Sequence, residues 1–247
     1  MINTRVTALL LAGLLAATPA IAASSSTREL AQTRALLAIE YMKFGNMRVA
    51  MENAELAIST DPGFQSGYLA KALILMRLGV DKEAETAFQQ ALRIDAGNPE
   101  VNNNYGNFLC GRGRFDEALQ RFDRALADPF FATPQSAMVN KALCLERMKR
   151  PDEANQLLLA TLRRVPNDPA ALRELARMAI DGNNVQLADF YYQRLGIDEQ
   201  RANSAELWLG VRMAKLKHDD DARERFAAQL KKRFPDSSET QQLLSGN

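Results

Sequence analysis

Six alanines, Ala50, Ala84, Ala118, Ala154, Ala188 and Ala222, recur along this chain at separations of 34, 34, 36, 34 and 34 residues. Twelve residues before each stands a small residue: Ala38, Ala72, Gly106, Ala142, Ala176 and Gly210. Four residues after each come Ala54, Phe88, Phe122, Leu158, Tyr192 and Phe226, large and apolar in every case but the first. Small residues on two antiparallel helices let the backbones approach, and the large side chain fills the hole beside them. Pro62, Pro99, Pro129, Pro169 and Pro235 punctuate the joins, where proline opens a helix or ends one. A hairpin of this size cannot bury its remaining face alone, so the pattern demands that neighbours stack.

This is the tetratricopeptide period. The expected fold is all-α, six tetratricopeptide repeats forming a right-handed α-superhelical solenoid, with repeats at about 31–64, 65–98, 99–132, 135–168, 169–202 and 203–236 in a single domain over 31–247. The residues after Pro235 read as a terminal cap that frays. The two extra residues between repeats three and four fall in ADPFFATPQS, where Phe130 and Phe131 are expected to cover the core edge, a binding loop being the alternative.

The start, MINTRVTALLLAGLLAATPAIAA, has a basic residue at Arg5, an apolar run from Val6 to Ala17, and Ala20-Ile21-Ala22 before Ala23. That is the anatomy of a secretory signal over 1–22 with a small-residue cleavage site, an uncleaved anchor being the alternative. Residues 23–30 read as a flexible lead. The compartment implied is a bacterial periplasm. Lys and Arg number 31 against 30 Asp and Glu, and setting aside residues 1–22, which hold only Arg5, leaves 30 against 30. A neutral chain argues against nucleic-acid binding through phosphate neutralisation.

Cys110 and Cys144 are the two cysteines, on the first helices of neighbouring repeats. In an exported chain that placement points to a disulfide, with two buried free thiols as the alternative. Asn103 and Asn107, four apart, are expected on one concave face, able to hold a partner's backbone through amide donors and acceptors. A merely solvated face is the competing reading.

The stretches NNNYGNFLCGRGRFDEAL, DRALADPFFATPQSAMVNKALC, ELWLGVRMAK and RFPDSSETQQLLSG resemble the PilF/PilW pilotin family of type IV pilus biogenesis and stability proteins, over residues 30 to 246. The resemblance implies a periplasmic six-repeat solenoid that promotes outer-membrane localisation and multimerisation of the pilus secretin, with the family's cysteine pair at Cys110 and Cys144. One departure stands out. Members of that family are typically lipoproteins, yet no cysteine precedes Cys110, and Leu14 follows Leu11-Ala12-Gly13 where a lipidated cysteine would stand. Membrane association is therefore expected only through partners.

Concave positions in the first two repeats include Ile39, Met42, Leu69, Leu73 and Met76, an apolar set rimmed by Lys43 and Arg77. Such a groove suits an amphipathic or extended apolar segment of another protein, the methionines adapting to its shape. Burial of the same side chains by the lead from Arg28 is the alternative. Repeats three and four carry Glu100, Asn103, Asn107, Glu146 and Arg147 instead, without the cations that a carboxylate clamp needs.

No catalytic or metal constellation emerges. The single His218 lies beside acids in LKHDDDARE, at the turn between the two helices of the last repeat, and has no second histidine to join it. Residues 106 to 113 lack the Lys and Ser or Thr of a phosphate loop, and Trp208 reads as a packing residue. Neither a cofactor nor a small-molecule substrate is expected. The reading is a protein-binding scaffold for the secretin and other pilus assembly proteins; the alternative is a general periplasmic scaffold for another envelope or maturation complex.

Overall fold

A computed structural model of the chain describes residues 20–246, and all regular secondary structure among them is helical. Most of the signal-like segment lies outside the described residues. Two compact units emerge, residues 1–95 and 96–247. The sequence reading treats 31–247 as one domain; in a repeat array each hairpin touches chiefly its neighbours, so one array can hold more than one compact unit. The first contains α1 (Ala20–Lys43), α2 (Met47–Thr60), α3 (Gln65–Leu78) and α4 (Asp81–Ile94). The second holds α5 (Pro99–Gly111), α6 (Phe115–Leu126), α7 (Pro134–Arg147), α8 (Pro151–Arg164), α9 (Pro169–Asp181), α10 (Val185–Leu195), α11 (Ser204–Lys217), α12 (Asp220–Arg233) and α13 (Ser238–Leu244).

Local chemistry sets the helix ends. Side chains of Asn46, Asn98, Asp168, Asn184, Asn203, Asp219 and Ser237 accept hydrogen bonds from backbone N–H groups two or three residues into the helices they precede. At α11 the cap is reciprocal, because the Glu206 carboxylate also accepts from the Asn203 N–H. Proline occupies the first turn of α5, α7, α8 and α9, where its missing N–H costs nothing. His218 ends α11 in the left-handed region at φ 57°.

The repeated small and large residues meet as the spacing requires. A Cβ on Gly106 would stand 2.8 Å from the Phe122 ring, and one on Gly210 would stand 2.7 Å from Phe226, so those two rings lie directly against bare backbone. Ala142, Leu158, Leu172, Leu175 and Ala176 carry the same packing through the middle of the second unit.

Three expectations need correction. Residues 25–30 are part of α1 rather than a flexible lead. Arg28 fastens them: its guanidinium lies 3.6 Å from Asp61, stacks 5.3 Å from the Phe64 ring centre, and donates to the Gly63 carbonyl. Phe130 is 91% exposed and covers no core, because Asp128 accepts from its N–H and turns the loop outward; Phe131 alone is partly buried. The C-terminal segment is held as α13, where the Thr240 hydroxyl, nearly inaccessible, donates to the Phe234 carbonyl.

Candidate partner-binding face

In the first unit, α1 turns Ala31, Ala35 and Ala38 inward and α2 turns Ala50, Ala54 and Ala57 inward. Alanine at these positions lets the two helices approach closely, since Ala54 stands where later repeats carry a ring or a leucine. Four large residues of α1, and Phe44 in the turn after it, point elsewhere. Leu30, Leu36, Leu37, Tyr41 and Phe44 are all exposed, Phe44 at 84%. This first hairpin is lined inside mainly by alanine, with Ile39, Met42, Met47 and Met51 partly buried against it, and carries several large residues outside.

Of the predicted groove set, Ile39 and Met42 are half-buried and pack against Ala38, Ala50, Ala54, Ala70 and Ile74. Leu73 and Met76 on α3 are likewise half-buried. Leu69 is not available to a partner: at 5% exposure it belongs to the interior, where α3 packs against both α1 and α2. What remains of the predicted groove set is partly buried, Ile39 and Met42 on α1 and Leu73 and Met76 on α3; Lys43, paired with Glu40 at 2.7 Å, and Arg77 are exposed on the same two helices.

The first helices of the second unit are polar and tied to one another. Asn103 is 7% exposed, so the expectation of a pair of asparagines open to a partner fails. Its carbonyl accepts from the Asn140 amide at 3.0 Å and its own amide faces the Ser136 hydroxyl at 3.4 Å, which joins α5 to α7. Asn107, one turn further, is exposed. Cys110 and Cys144 meet on the same two helices with Cα atoms 5.8 Å apart and their sulfurs paired, both buried.

From α7 onward the link becomes ionic. Arg177 of α9 donates to Glu146 of α7, to Glu174 at 2.8 Å and to Asp181 at 2.9 Å. Asp181 also accepts from Arg212 of α11, and Arg173 reaches Glu206 at 3.1 Å. Burial raises the Glu146 carboxyl above its ordinary value, with Glu174 and Asp181 adding to the shift against the pull of Arg177. Sequence reasoning missed this ladder, although Glu174 and Asp181 stand three and four residues from Arg177 and so share its helical face.

A cavity of about 800 Å³ in the second unit is lined by Ile180, Trp208, Arg212, Lys215, Arg223 and Leu243, among others. Arg212 and Arg223 are held there by Asp181 and Asp220. Among the described residues no cluster of three His, Cys, Asp or Glu side chains could hold a metal, and no helix is long and apolar enough to cross a membrane.

Tetratricopeptide-repeat family profiles match residues 36–99, 82–142 and 145–205. The type IV pilus assembly protein PilF of Pseudomonas aeruginosa is 30% identical over 207 residues, 84% of this chain and 82% of that protein. The crystal structure of PilW, a widely conserved type IV pilus biogenesis factor, superposes with a TM-score of 0.71 at 35% identity over 87% of this chain and 98% of its own. That of P. aeruginosa PilF superposes with a TM-score of 0.70 at 28% identity over 90% of this chain and all of its own. The chain belongs to the PilF/PilW family of tetratricopeptide-repeat proteins in type IV pilus biogenesis.

Proposed function

We propose that this protein is a non-catalytic scaffold of the bacterial periplasm that binds subunits of the type IV pilus secretin and promotes their assembly at the outer membrane. The observation that carries the reading is the partly buried apolar set of Ile39, Met42, Leu73 and Met76, on a fold shared with pilus assembly and biogenesis factors. Half-buried methionines beside branched aliphatic side chains adapt to an apolar segment without demanding one sequence. The second unit supports the assignment from the other side. Its first helices use their polar groups on one another, which leaves fewer unsatisfied donors and acceptors for a ligand.

The test is genetic. The gene is deleted and replaced by the native form or by Leu73→Asp with Met76→Asp, and secretin multimers are compared with monomers in membrane fractions on gels run without full denaturation. Multimers are expected to disappear on deletion and to return only with the native form. Multimers that persist without the gene would remove the secretin from the proposal and leave a scaffold for another envelope complex.

A further inference from the structure

The outer face of α1 lies apart from the groove. Leu30, Leu37 and Tyr41 fall within a narrow stripe along α1, and Phe44, in the turn just past its end and seven residues after Leu37, continues it. Ile39 and Met42 are turned far from that stripe on the same helix. Where one hairpin follows another, the second helix of the first packs onto the first helix of the next, as α2 does on α3, α6 on α7 and α8 on α9. The positions matching Tyr41 in later repeats, Leu75, Leu109, Leu145, Ala179 and Met213, are all buried. In α1 the equivalent surface carries large apolar residues that no described helix covers. At the other end of the chain α13 packs against α11 and α12, which closes simple head-to-tail addition of copies.

We propose that the α1 stripe is the contact surface for a second copy of this chain, with the two α1 helices antiparallel about a two-fold axis beside Leu37. The stripe is self-complementary in that arrangement. Leu37 faces its own counterpart, Leu30 faces Phe44, and Leu36 lies close to Leu36 of the other copy. The charges do not oppose it. Arg34, half-buried and donating to Asn53, comes level with Tyr41 of the other copy, Glu29 comes level with Lys43, whose partner within one copy is Glu40, and no like charges are opposed. The four stripe side chains and the flanking Leu36 expose on the order of 500 Å² per copy, so the pair can bury at most about 1,000 Å², the range of a weak, concentration-dependent dimer.

Sedimentation velocity of protein purified from the periplasm of an expression host, over a micromolar to near-millimolar series, is expected to show a monomer–dimer equilibrium. Leu37→Glu, at an exposed site, should weaken that equilibrium at least about tenfold while the helical circular dichroism is unchanged. The geometry has its own test. Leu37→Cys, facing itself across the axis, should cross-link to a covalent dimer under mild oxidation, and Leu56→Cys, similarly exposed on α2, should not. A monomer at every concentration, a dimer indifferent to Leu37→Glu, or equal cross-linking at the two cysteine sites would each overturn the proposal. Because Leu37 is outside the secretin groove, secretin multimerisation can fail or succeed independently of these results.

Discussion

The first hairpin and the helices from α5 to α11 use one repeat pattern to opposite ends. In the first hairpin the buried core is mostly alanine, with Ile39 and Met42 packed against it, and the exterior carries Leu30, Leu36, Leu37 and Tyr41 of α1 and Phe44 of the turn after it. In the second unit the interior holds Phe122, Leu158, Leu172 and Leu175, while Asn103, Glu146, Arg177 and Asp181 join neighbouring first helices by hydrogen bonds and ion pairs. A face whose polar groups are already matched to one another gains little from a ligand. A face that leaves large apolar residues in water gains from anything that covers them. The proposed function draws on this contrast, and substitutions on the two faces should separate stability from recognition.

The largest effect is expected at the cysteines. Replacing both Cys110 and Cys144 by alanine opens a link between residues 34 apart and should lower stability by about 3 kcal/mol, read from denaturant unfolding. Hydrogen exchange should quicken in α5 and α7 and remain unchanged in α1 to α4. Uniform loosening of both units would contradict a division of labour between them.

Arg177→Ala comes next. It leaves Glu146, Glu174 and Asp181 without their shared cation, and with the guanidinium about one-third exposed the loss should be about 2 kcal/mol, below that of a fully buried pair. Arg177→Lys should recover only part of it, since one ammonium cannot place a planar fork against three carboxylates. Full rescue by lysine would mean that charge alone, and not the geometry of the ladder, holds α7 and α9 together.

Much of the fold was legible because close packing writes a strong periodic signature. Gly106 opposite Phe122 and Gly210 opposite Phe226 are contacts that a twelve-residue and a four-residue offset already implied. The site was less legible, for reasons that are also physical. Leu69 and Leu73 are four apart on one helix face, and only the neighbouring helices decide that the first is buried and the second partly open. Asn103 and Asn107 share the same relation, separated by the reach of Asn140 and Ser136. The helical start of α1 depends on Arg28 meeting Asp61 and Phe64, more than thirty residues away, a contact no local pattern records. The ionic ladder could have been found within α9, from Glu174, Arg177 and Asp181, but its extension to Glu146 and Arg212 required the packed repeats.

Charging the outer face of the first hairpin should do little to folding. Leu36→Lys and Phe44→Lys are each expected to change stability by no more than about 0.5 kcal/mol, because neither side chain leaves a packed interior. Thermal unfolding of each single variant, at a concentration where the native chain is monomeric, checks this. A loss several times larger would mean that the stripe is already covered within one copy, and the distinction between a stabilising unit and a presenting one would fail.

The smallest effect sharpens the comparison through pH. Burial, with Glu174 and Asp181 nearby, raises the Glu146 carboxyl above its ordinary 4.5, so the folded chain holds that proton more tightly than the unfolded chain does. A raised carboxyl contributes stability that is fully present below the unfolded value and is lost as pH rises through the folded one. Exposed Glu117 and Glu153 run the opposite way, lowered by hydrogen bonds from Arg114 and Arg150. Subtracting the stability of Glu146→Gln from that of the native chain at each pH removes those background carboxylates. The difference should favour the native chain most at acid pH, fall as pH passes upward from the ordinary carboxyl range, and be level by neutrality. A difference that instead grows with pH would show that Arg177 outweighs burial at this position, making Glu146 a source of stability at neutral pH.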